Sequence, residues 1–437
     1  MAVATSIDPG LEINRYKNQA AAGPWKTLTG LLVLFYLFTF AFEGLVRYAL
    51  DQAGAGSFLY LRDAVPVLII AGCIYAWMAG FVRPTLLLLA VLLLLIHFFI
   101  GYYYLGGLFQ RMFGFKVFLP FLLGIAYCVA TDGRVNVRYI PWILGALLVS
   151  ASAVIVNKFI AMPWEGAQFE SVFGIAEQAR NSTALGVRRL TGLARAAYDA
   201  ASMILVCMVI VLAHYRKPAV KLIVWVVAVV AIALTTTKAA LLAAFVVGLC
   251  VTFYETRRAS TISRTVIAGA LLLCVGMPVL SLYLDVSTRA VSESYAWWLS
   301  SFADRMENMW PRAFEVWTEH GNVLIGRGLG GLGFPQRYGS GEWKLFNVAD
   351  NLFVYWTVIF GILGWAYASV LLWRLFSWKP RDVFSMKLVY GFMAVLFSFG
   401  LTANIVEQPI LLFSAGFCFA LVWNPTKDEG PCVESVR

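Results

Sequence analysis

Eleven of the 34 lysines and arginines lie in two long polar segments, 158–196 and 285–349, which separate runs of apolar residues. A guanidinium group stays charged and can bind two phosphate oxygens at once. A solvated surface position is the simpler interpretation of any single arginine, but the group as a whole indicates a site for a phosphate-bearing anion. The basic residues of the two segments are Lys158, Arg180, Arg188, Arg189, Arg195, Arg289, Arg305, Arg312, Arg327, Arg337 and Lys344.

Carboxylates are interleaved with these cations, and one of them could act as a general base toward a hydroxyl group. Asp350 could instead cap a helix that begins at Asn351, so the base and cap interpretations both stay open. Some of the other carboxylates could serve as ion-pair partners of the arginines. They are Asp304, Glu307, Glu315 and Glu319.

Two charged residues lie in short turns between apolar runs. Lys238, in the sequence LTTTKAALLAAF, could extend to the membrane interface or could contact the same phosphate-bearing anion. Glu407, in NIVEQP, could pair with one of the cations.

Metal and nucleotide chemistry have no recognisable motif in this sequence. His97, His214 and His320 are scattered, and no Gly-x-Ser-x-Gly elbow or phosphate-binding Walker loop is present. Six of the seven cysteines lie within apolar runs, where cysteine acts as a small hydrophobic residue. We therefore expect no metal, no cofactor and no disulfide framework.

The elements that position these residues are membrane helices. Hydrophobic residues make up 61% of the 437 positions and charged residues 13%, which is typical of a polytopic membrane protein. The net charge of +10 lies mostly in short loops between apolar runs, so no nucleic-acid partner is predicted. The first apolar run lacks a cleavage site, so we expect it to remain in the membrane.

Twelve apolar runs are long enough to cross a bilayer. Lysine and arginine are enriched in alternate short connections, which the positive-inside rule places in the cytoplasm together with both termini. Segments 158–196 and 285–349 then lie on the outer side. The predicted spans are 27–46, 63–82, 84–104, 113–130, 139–157, 197–214, 218–236, 238–254, 264–284, 350–373, 385–402 and 405–423.

The larger outer segment combines aromatic residues with a glycine-rich run. Residues from Trp297 to Trp310 suit either a helix in the membrane interface or a helix packed on the bundle. Pro311 predicts the start of a second helix that ends at Glu319. In a single continuous helix, Arg305 and Arg312 would lie on the same face. Pro311 makes such a continuous helix less favourable. The glycines from 326 to 333 allow tight turns or close approach to a ligand.

Four stretches in the second half of the chain together resemble the O-antigen ligase and Wzy-type polysaccharide polymerase superfamily. They are RLTGLARAAYDAAS from Arg189, TTTKAALLAAF around Lys238, DRMENMWPRAF with LIGRGLGGLGF, and ADNLFVYWTVIFGILG. Asp350 stands where the ligases carry histidine, and Lys238 stands in an arginine position. The spacing from Arg305 to Trp310 is one residue longer than in the family, so either Arg305 or Arg312 could have the family role.

This resemblance implies an inverting glycosyltransferase without metal or nucleotide. The donor would be a glycan on undecaprenyl diphosphate, and the acceptor would be a hydroxyl of a second lipid-linked repeat unit. Membrane lipid and a chain-length regulator protein are further partners that the resemblance suggests. The arginines would neutralise the leaving diphosphate, which is an electrostatic form of catalysis.

We therefore expect an all-α enzyme of the bacterial inner membrane that polymerises lipid-linked repeat units at the periplasmic face. Its parts are a cytoplasmic leader 1–26, a transmembrane domain 27–423 and a cytoplasmic tail 424–437. The rival interpretations are a ligase that transfers glycan to a lipid A core or protein, a flippase or transporter, and a structural partner of an assembly. The expected catalytic residues are Asp350, Arg305 and Arg312, and the expected diphosphate contacts are Arg189, Lys238, Arg195 and Arg327.

Overall fold

The computed structural model describes residues 9–82, 84–135, 137–170, 176–178, 183–184, 187–252, 257–340, 342–380 and 382–423. The predicted tail 424–437, the first eight residues of the leader and Arg180 lie outside the described residues. The α-helices of the described chain are α1 (Pro9–Ala41), α2 (Glu43–Gln52), α3 (Leu61–Met78), α4 (Thr85–Tyr104), α5 (Leu108–Ala130), α6 (Ile140–Asn157), α7 (Ala197–His214), α8 (Pro218–Leu234), α9 (Lys238–Val247), α10 (Arg257–Leu280), α11 (Thr288–Ser292), α12 (Ser300–Asp304), α13 (Trp310–His320), α14 (Leu352–Ser377), α15 (Val383–Gly400) and α16 (Pro409–Trp423).

Short elements complete the described chain. Four strands form two antiparallel pairs within segment 158–196, β1 (Gln168–Glu170) with β2 (Ala176–Gln178) and β3 (Thr183–Ala184) with β4 (Val187–Arg188). Two π-helical turns follow α9 and α12, Gly248–Thr252 and Arg305–Met309. The 3-10 turns are Gly56–Tyr60, Val137–Tyr139, Trp297–Leu299, Phe334–Tyr338, Glu342–Leu345 and Ile405–Glu407.

Eight helices of the described chain are long and apolar enough to cross a membrane, and the bent pair α1–α2 is a ninth candidate. Three further apolar helices are shorter, namely α8, the helix that begins at Lys238, and α16. A backbone that crosses a bilayer must satisfy its own hydrogen bonds, which a helix does along its whole length. The prediction of a helical, multi-pass membrane protein is confirmed.

The first predicted span, 27–46, is not one straight helix. α1 ends at Ala41, and α2 leaves it at an angle of 84° after Phe42. Glu43 is the first residue of α2 and is buried. The prediction of a single continuous span was wrong because hydropathy registers apolar side chains but not the direction of the backbone.

Helix α14 is interrupted at Gly361, where φ is 63° and ψ is −161°. The break frees backbone groups that need partners within a membrane. Residues 322–333, which we call the glycine segment, supply those partners through four backbone hydrogen bonds. These bonds run from Arg327 N to Val358 O (2.8 Å), from Gly328 N to Ile359 O (3.1 Å), from Ile362 N to Val323 O (3.1 Å) and from Leu363 N to Leu324 O (2.9 Å).

The glycine segment is also held by α4 and α5. Leu329 N donates to the carbonyl of His97 at 3.0 Å, and Gln110 Nε2 donates to the carbonyl of Gly330 at 2.9 Å. A Cβ atom added to Gly328 would lie 2.3 Å from the nitrogen of Gly101, so no larger residue fits without movement. The glycines therefore permit tight packing against backbone inside the bundle, which is a different use from approach to a ligand.

The centre of the bundle consists of α5, α7, α15 and α16. Helices α7 and α15 are buried along nearly their whole length. Helices α5 and α16 pack closely, and a Cβ atom added to Gly124 or Gly416 would lie 2.1 or 2.0 Å from a carbonyl oxygen of the facing helix. Small residues at such positions let membrane helices approach until their backbones touch.

The larger polar segment is a chain of short helices rather than one long helix. Pro311 lies in the first turn of α13, which confirms the predicted helix start to within one residue. The apolar residues between 297 and 310 differ in exposure, as the two predicted environments would require, one at the membrane interface and one against the bundle. Trp297 and Trp298 are half exposed, whereas Met306 and Trp310 are buried against the bundle.

Candidate functional site

Three of the predicted basic residues come together from separate parts of the chain. Arg189 precedes α7, Lys238 begins α9 after the turn that follows α8, and Arg305 begins the π-helical turn after α12. Arg189 Nε donates to Thr236 Oγ1 at 3.2 Å, and Lys238 Nζ donates to the carbonyl oxygen of Trp298. Both long polar segments therefore meet at the turn between α8 and α9.

Electrostatic coupling links these three cations. Lys238 is the first residue of α9 and lies at the turn, before the apolar stretch of that helix. Partial burial lowers the pKa of its ammonium group, and the positive charges of Arg189 and Arg305 lower this pKa further. Like charges held together in this way favour the binding of an anion between them.

Arg305 brings a carboxylate to the cluster. Its Nη2 atom donates to Asp350 Oδ2 at 2.7 Å, and its Nη1 atom donates to the carbonyl of Ser301. The pair is partly accessible, with 19% of the Arg305 side chain and 29% of the Asp350 side chain exposed. Asp350 thus lies beside Arg305 and already has a cationic partner.

The alternative role of Asp350 as a helix cap was wrong. Helix α14 begins at Leu352, and Asn351 is its N-cap, since Asn351 Oδ1 accepts from Val354 N at 2.9 Å. The Asp350 carboxylate is therefore not used to satisfy the start of α14.

The backbone of the site is conformationally unusual. Thr236, Ala349 and Asp350 have φ values of 56°, 57° and 39°. Side chains with a Cβ atom rarely adopt positive φ, and a β-branched residue such as Thr236 does so only under strain. Such conformations persist where the surrounding structure enforces them, and they concentrate at functional sites.

Two buried asparagines enforce the conformation at Asp350. Asn347 Nδ2 donates to the carbonyl of Met309 at 2.8 Å, and its Oδ1 accepts from Ala349 N at 2.8 Å. Asn351 Nδ2 donates to the carbonyls of Cys274 at 3.0 Å and Leu401 at 2.9 Å. The sequence analysis missed both, although their positions on either side of a charged residue at the start of a span were visible.

The other predicted site residues have different surroundings. Arg312 is exposed and donates to the carbonyl of Lys344 at 2.7 Å. Arg327 is buried and donates to the carbonyls of His320 at 2.9 Å and Gly331 at 2.7 Å, so it organises the glycine segment. Glu407 Oε1 accepts from Phe334 N at 2.6 Å.

Arg195 belongs to a second ionic cluster around Glu43. Glu43 pairs with Arg47 at 2.7 Å and Arg62 at 3.2 Å, and Arg195 lies 3.8 Å away. Leu45 N donates to the carbonyl of Leu193 at 3.2 Å, which ties α2 to the chain beside Arg195. The sequence analysis missed this cluster, although a carboxylate inside a predicted span is a recognised signal of function.

An apolar cavity lies beside the charged site, between α4, α5, α10, α14, α15 and α16. Its wall on α14 begins at Leu352, two residues after Asp350, and continues to Leu372. This stretch of α14 includes the break at Gly361. The lining of the cavity is apolar, which suits part of a hydrocarbon chain.

Comparison with known proteins does not assign a family to this chain. No protein-family model matches the chain, and no curated protein matches its sequence.

Proposed function

We propose that this protein is a membrane glycosyltransferase that polymerises undecaprenyl-diphosphate-linked repeat units in the synthesis of a bacterial surface or exopolysaccharide. The observation that carries the proposal is the convergence of Arg189, Lys238 and Arg305 beside Asp350. These residues belong to the stretches that resemble the polymerase and ligase superfamily. The resemblance supplies the reaction, and the convergence supports it.

The charges suit a diphosphate headgroup. Three cations and the single carboxylate of Asp350 leave two positive charges, and a diphosphate that bridges a lipid and a sugar carries two negative charges. Guanidinium groups bind phosphate oxygens in pairs, and Lys238 would add a point charge. Donors placed where negative charge develops lower the barrier to departure of the diphosphate.

The reaction that fits is a direct displacement at the anomeric carbon. The hydroxyl oxygen of the acceptor bonds to that carbon, and the bond from the carbon to the diphosphate oxygen breaks with its electrons on the diphosphate. The proton of the hydroxyl passes to a base, for which Asp350 is the candidate. Attack opposite to the leaving group inverts the configuration of that carbon.

The apolar cavity supports a lipid-linked donor in particular. The part of a hydrocarbon chain nearest the headgroup would pack beside Leu352, while the headgroup stayed near Asp350. The twelve predicted apolar runs overlap eight long apolar helices, the bent pair α1–α2 and three shorter apolar helices, and we propose that each run crosses the membrane. On this topology the site faces the periplasm from the inner membrane, and both termini are cytoplasmic.

Two alternatives have some support. A ligase would use the same diphosphate contacts but would transfer finished glycan to a lipid A core or protein, and Asp350 in place of histidine favours the polymerase. A flippase or transporter is favoured by the ionic cluster of Glu43, Arg47 and Arg62, because ionisable groups buried among membrane helices often line a transport path.

Replacement of the converging arginines tests the proposal. In a deletion strain, we expect Arg189→Ala and Arg305→Ala to reduce polymer formation by about 100-fold, because each removes an electrostatic contact to the leaving group. Single lipid-linked repeat units should accumulate, as measured by profiling the lipid-linked glycans. Arg312→Ala should keep most of the activity, since Arg312 donates to a carbonyl elsewhere.

Arg289→Ala is the matched control, because Arg289 is an exposed arginine of the same segment that pairs with Glu293 at 3.0 Å. Normal chain length in both Arg189→Ala and Arg305→Ala would reject the site. Loss of all exported repeat units would indicate a flippase, and single repeats transferred to a lipid A core would indicate a ligase.

A further inference from the structure

The guanidinium group of Arg305 is only partly used. Its Nη2 atom donates to Asp350, whereas its Nε atom is buried and has no hydrogen-bond partner among the described residues. Nε and Nη2 form one edge of the guanidinium plane, and this edge can bind two oxygens of one anion. An unsatisfied buried donor is unfavourable, so the pair with Asp350 is an incomplete arrangement for Arg305.

The carboxylate of Asp350 can move without rearrangement of its backbone. Asn347 and Asn351 fix the chain on both sides through bonds to buried carbonyls. The turn itself is closed by Asp350 N, which donates to the carbonyl of Val348 at 2.7 Å. Rotation of the Asp350 side chain would therefore break its contact with Arg305 and leave the entrance of α14 unchanged.

A diphosphate is the stronger partner for this edge of Arg305. It carries two charges where Asp350 carries one, and it can accept from Nε and Nη2 together. Lys238 and Arg189 would contribute to holding the diphosphate, because their charges act on the same region as that of Arg305. Binding of the headgroup thus offsets the loss of the pair between Arg305 and Asp350.

We infer that Asp350 is a displaceable counter-ion, which neutralises Arg305 in the empty site and is replaced there by the diphosphate of a bound donor. The inference rests on the proposed function. Displacement frees the carboxylate to accept the proton of the acceptor hydroxyl as the new glycosidic bond forms and the bond to diphosphate breaks. When the lipid diphosphate leaves, Asp350 loses this proton to solvent and pairs with Arg305 again. The base is therefore available only when a donor is bound.

Substitution of Asp350 by asparagine separates its two roles. Asparagine tolerates positive φ at least as well as aspartate, so the turn should be kept. Without a carboxylate to displace, we expect Asp350→Asn to bind geranylgeranyl diphosphate about two- to fivefold more tightly than the wild type. Polymer formation should fall by about 100-fold or more, because the base is lost. Binding is measured on the full chain in nanodiscs at fixed ionic strength.

Asp304→Asn is the matched control, because it removes the same charge one residue from Arg305, and the Asp304 carboxylate accepts from Asn308 Nδ2 at 2.8 Å. We expect its affinity for the probe to equal that of the wild type. Equal or weaker binding by Asp350→Asn, or equal tightening by Asp304→Asn, would overturn the inference.

Other outcomes would test the proposed function independently of the counter-ion role. If no variant binds the probe, or if Arg305→Ala binds it as well as the wild type, then both the diphosphate site and the counter-ion role are wrong. If Asp350→Asn binds more tightly but the wild type forms no polymer, the displacement is supported and the polymerase assignment is rejected.

Discussion

At the scale of single residues, the site combines charges that repel one another with backbone conformations that are seldom adopted. Thr236 and Ala349 both have positive φ, and they adjoin the contacts of Arg189 and Asp350. The cations repel one another, because the positive charges of Arg189 and Arg305 act on the ammonium group of Lys238. The strain and the repulsion together indicate a structure that is arranged for a ligand.

The lowered pKa of Lys238 predicts how binding depends on pH. An ammonium whose pKa is lowered loses its charge at a lower pH than an ordinary lysine, so anion affinity should decline as pH rises through this pKa. Arginine stays charged over the same range. We therefore expect geranylgeranyl diphosphate affinity to decline earlier with rising pH in the wild type than in Lys238→Arg. Parallel pH profiles would show that Lys238 does not contact the headgroup.

Sequence reasoning singled out the charged residues that converge in the structure but not the groups that surround them. Arg189, Lys238, Arg305 and Asp350 were predicted from charge, position relative to spans and resemblance. Arg327 was predicted as a diphosphate contact on the same grounds, but it is buried and donates hydrogen bonds to carbonyl oxygens. A sequence shows that an arginine is present in a loop, and only the folded chain shows which oxygen atoms surround it.

At the scale of elements, the interrupted helix α14 and the glycine segment form one joint. Helix periodicity and hydropathy predicted the span, because its side chains are apolar throughout. They could not predict the break at Gly361, since the bonds that stabilise the break come from residues more than thirty positions away. The angle after Phe42 was missed for a related reason, because α2 is held by contacts to a distant loop.

Substitution at the joint should destabilise the protein. A Cβ atom on Gly361 would lie 2.5 Å from the nitrogen of Gly326, and φ is positive there. We expect Gly361→Ala to lower the free energy of unfolding by about 2 kcal/mol or more, measured as thermal unfolding of the purified protein. Gly145→Ala is the matched control, because nothing lies within 4 Å of its added Cβ in α6. Equal stability of the two variants would contradict the described joint.

At the scale of the whole molecule, the two long polar segments and the turn before α9 lie at the same end of the bundle. Arg189 reaches the turn from one segment, and Trp298 reaches it from the other. The sequence placed both segments on one side but gave no reason for them to touch. Their contact depends on the packing of helices that are far apart in the chain, which local patterns do not encode.

The proposed orientation can be checked with cysteines at the two ends. Ser340 is exposed in the larger polar segment, and Lys379 is exposed between α14 and α15. In a Cys432→Ser background, an impermeant maleimide added to spheroplasts should label Ser340→Cys and should label Lys379→Cys only after permeabilisation. The background is suitable because the other six cysteines are buried. Protection of Ser340→Cys would reverse the topology.

The joint between the glycine segment and α14 has a consequence for how the protein is made. The segment is synthesised immediately before α14, so both sides of the joint reach the membrane together. Its docking partners in α4 and α5 were synthesised much earlier, and Leu329 and Gly330 must find them within the bilayer. Insertion of the helices therefore does not complete the fold, which also requires the glycine segment to dock on helices from the first half of the chain.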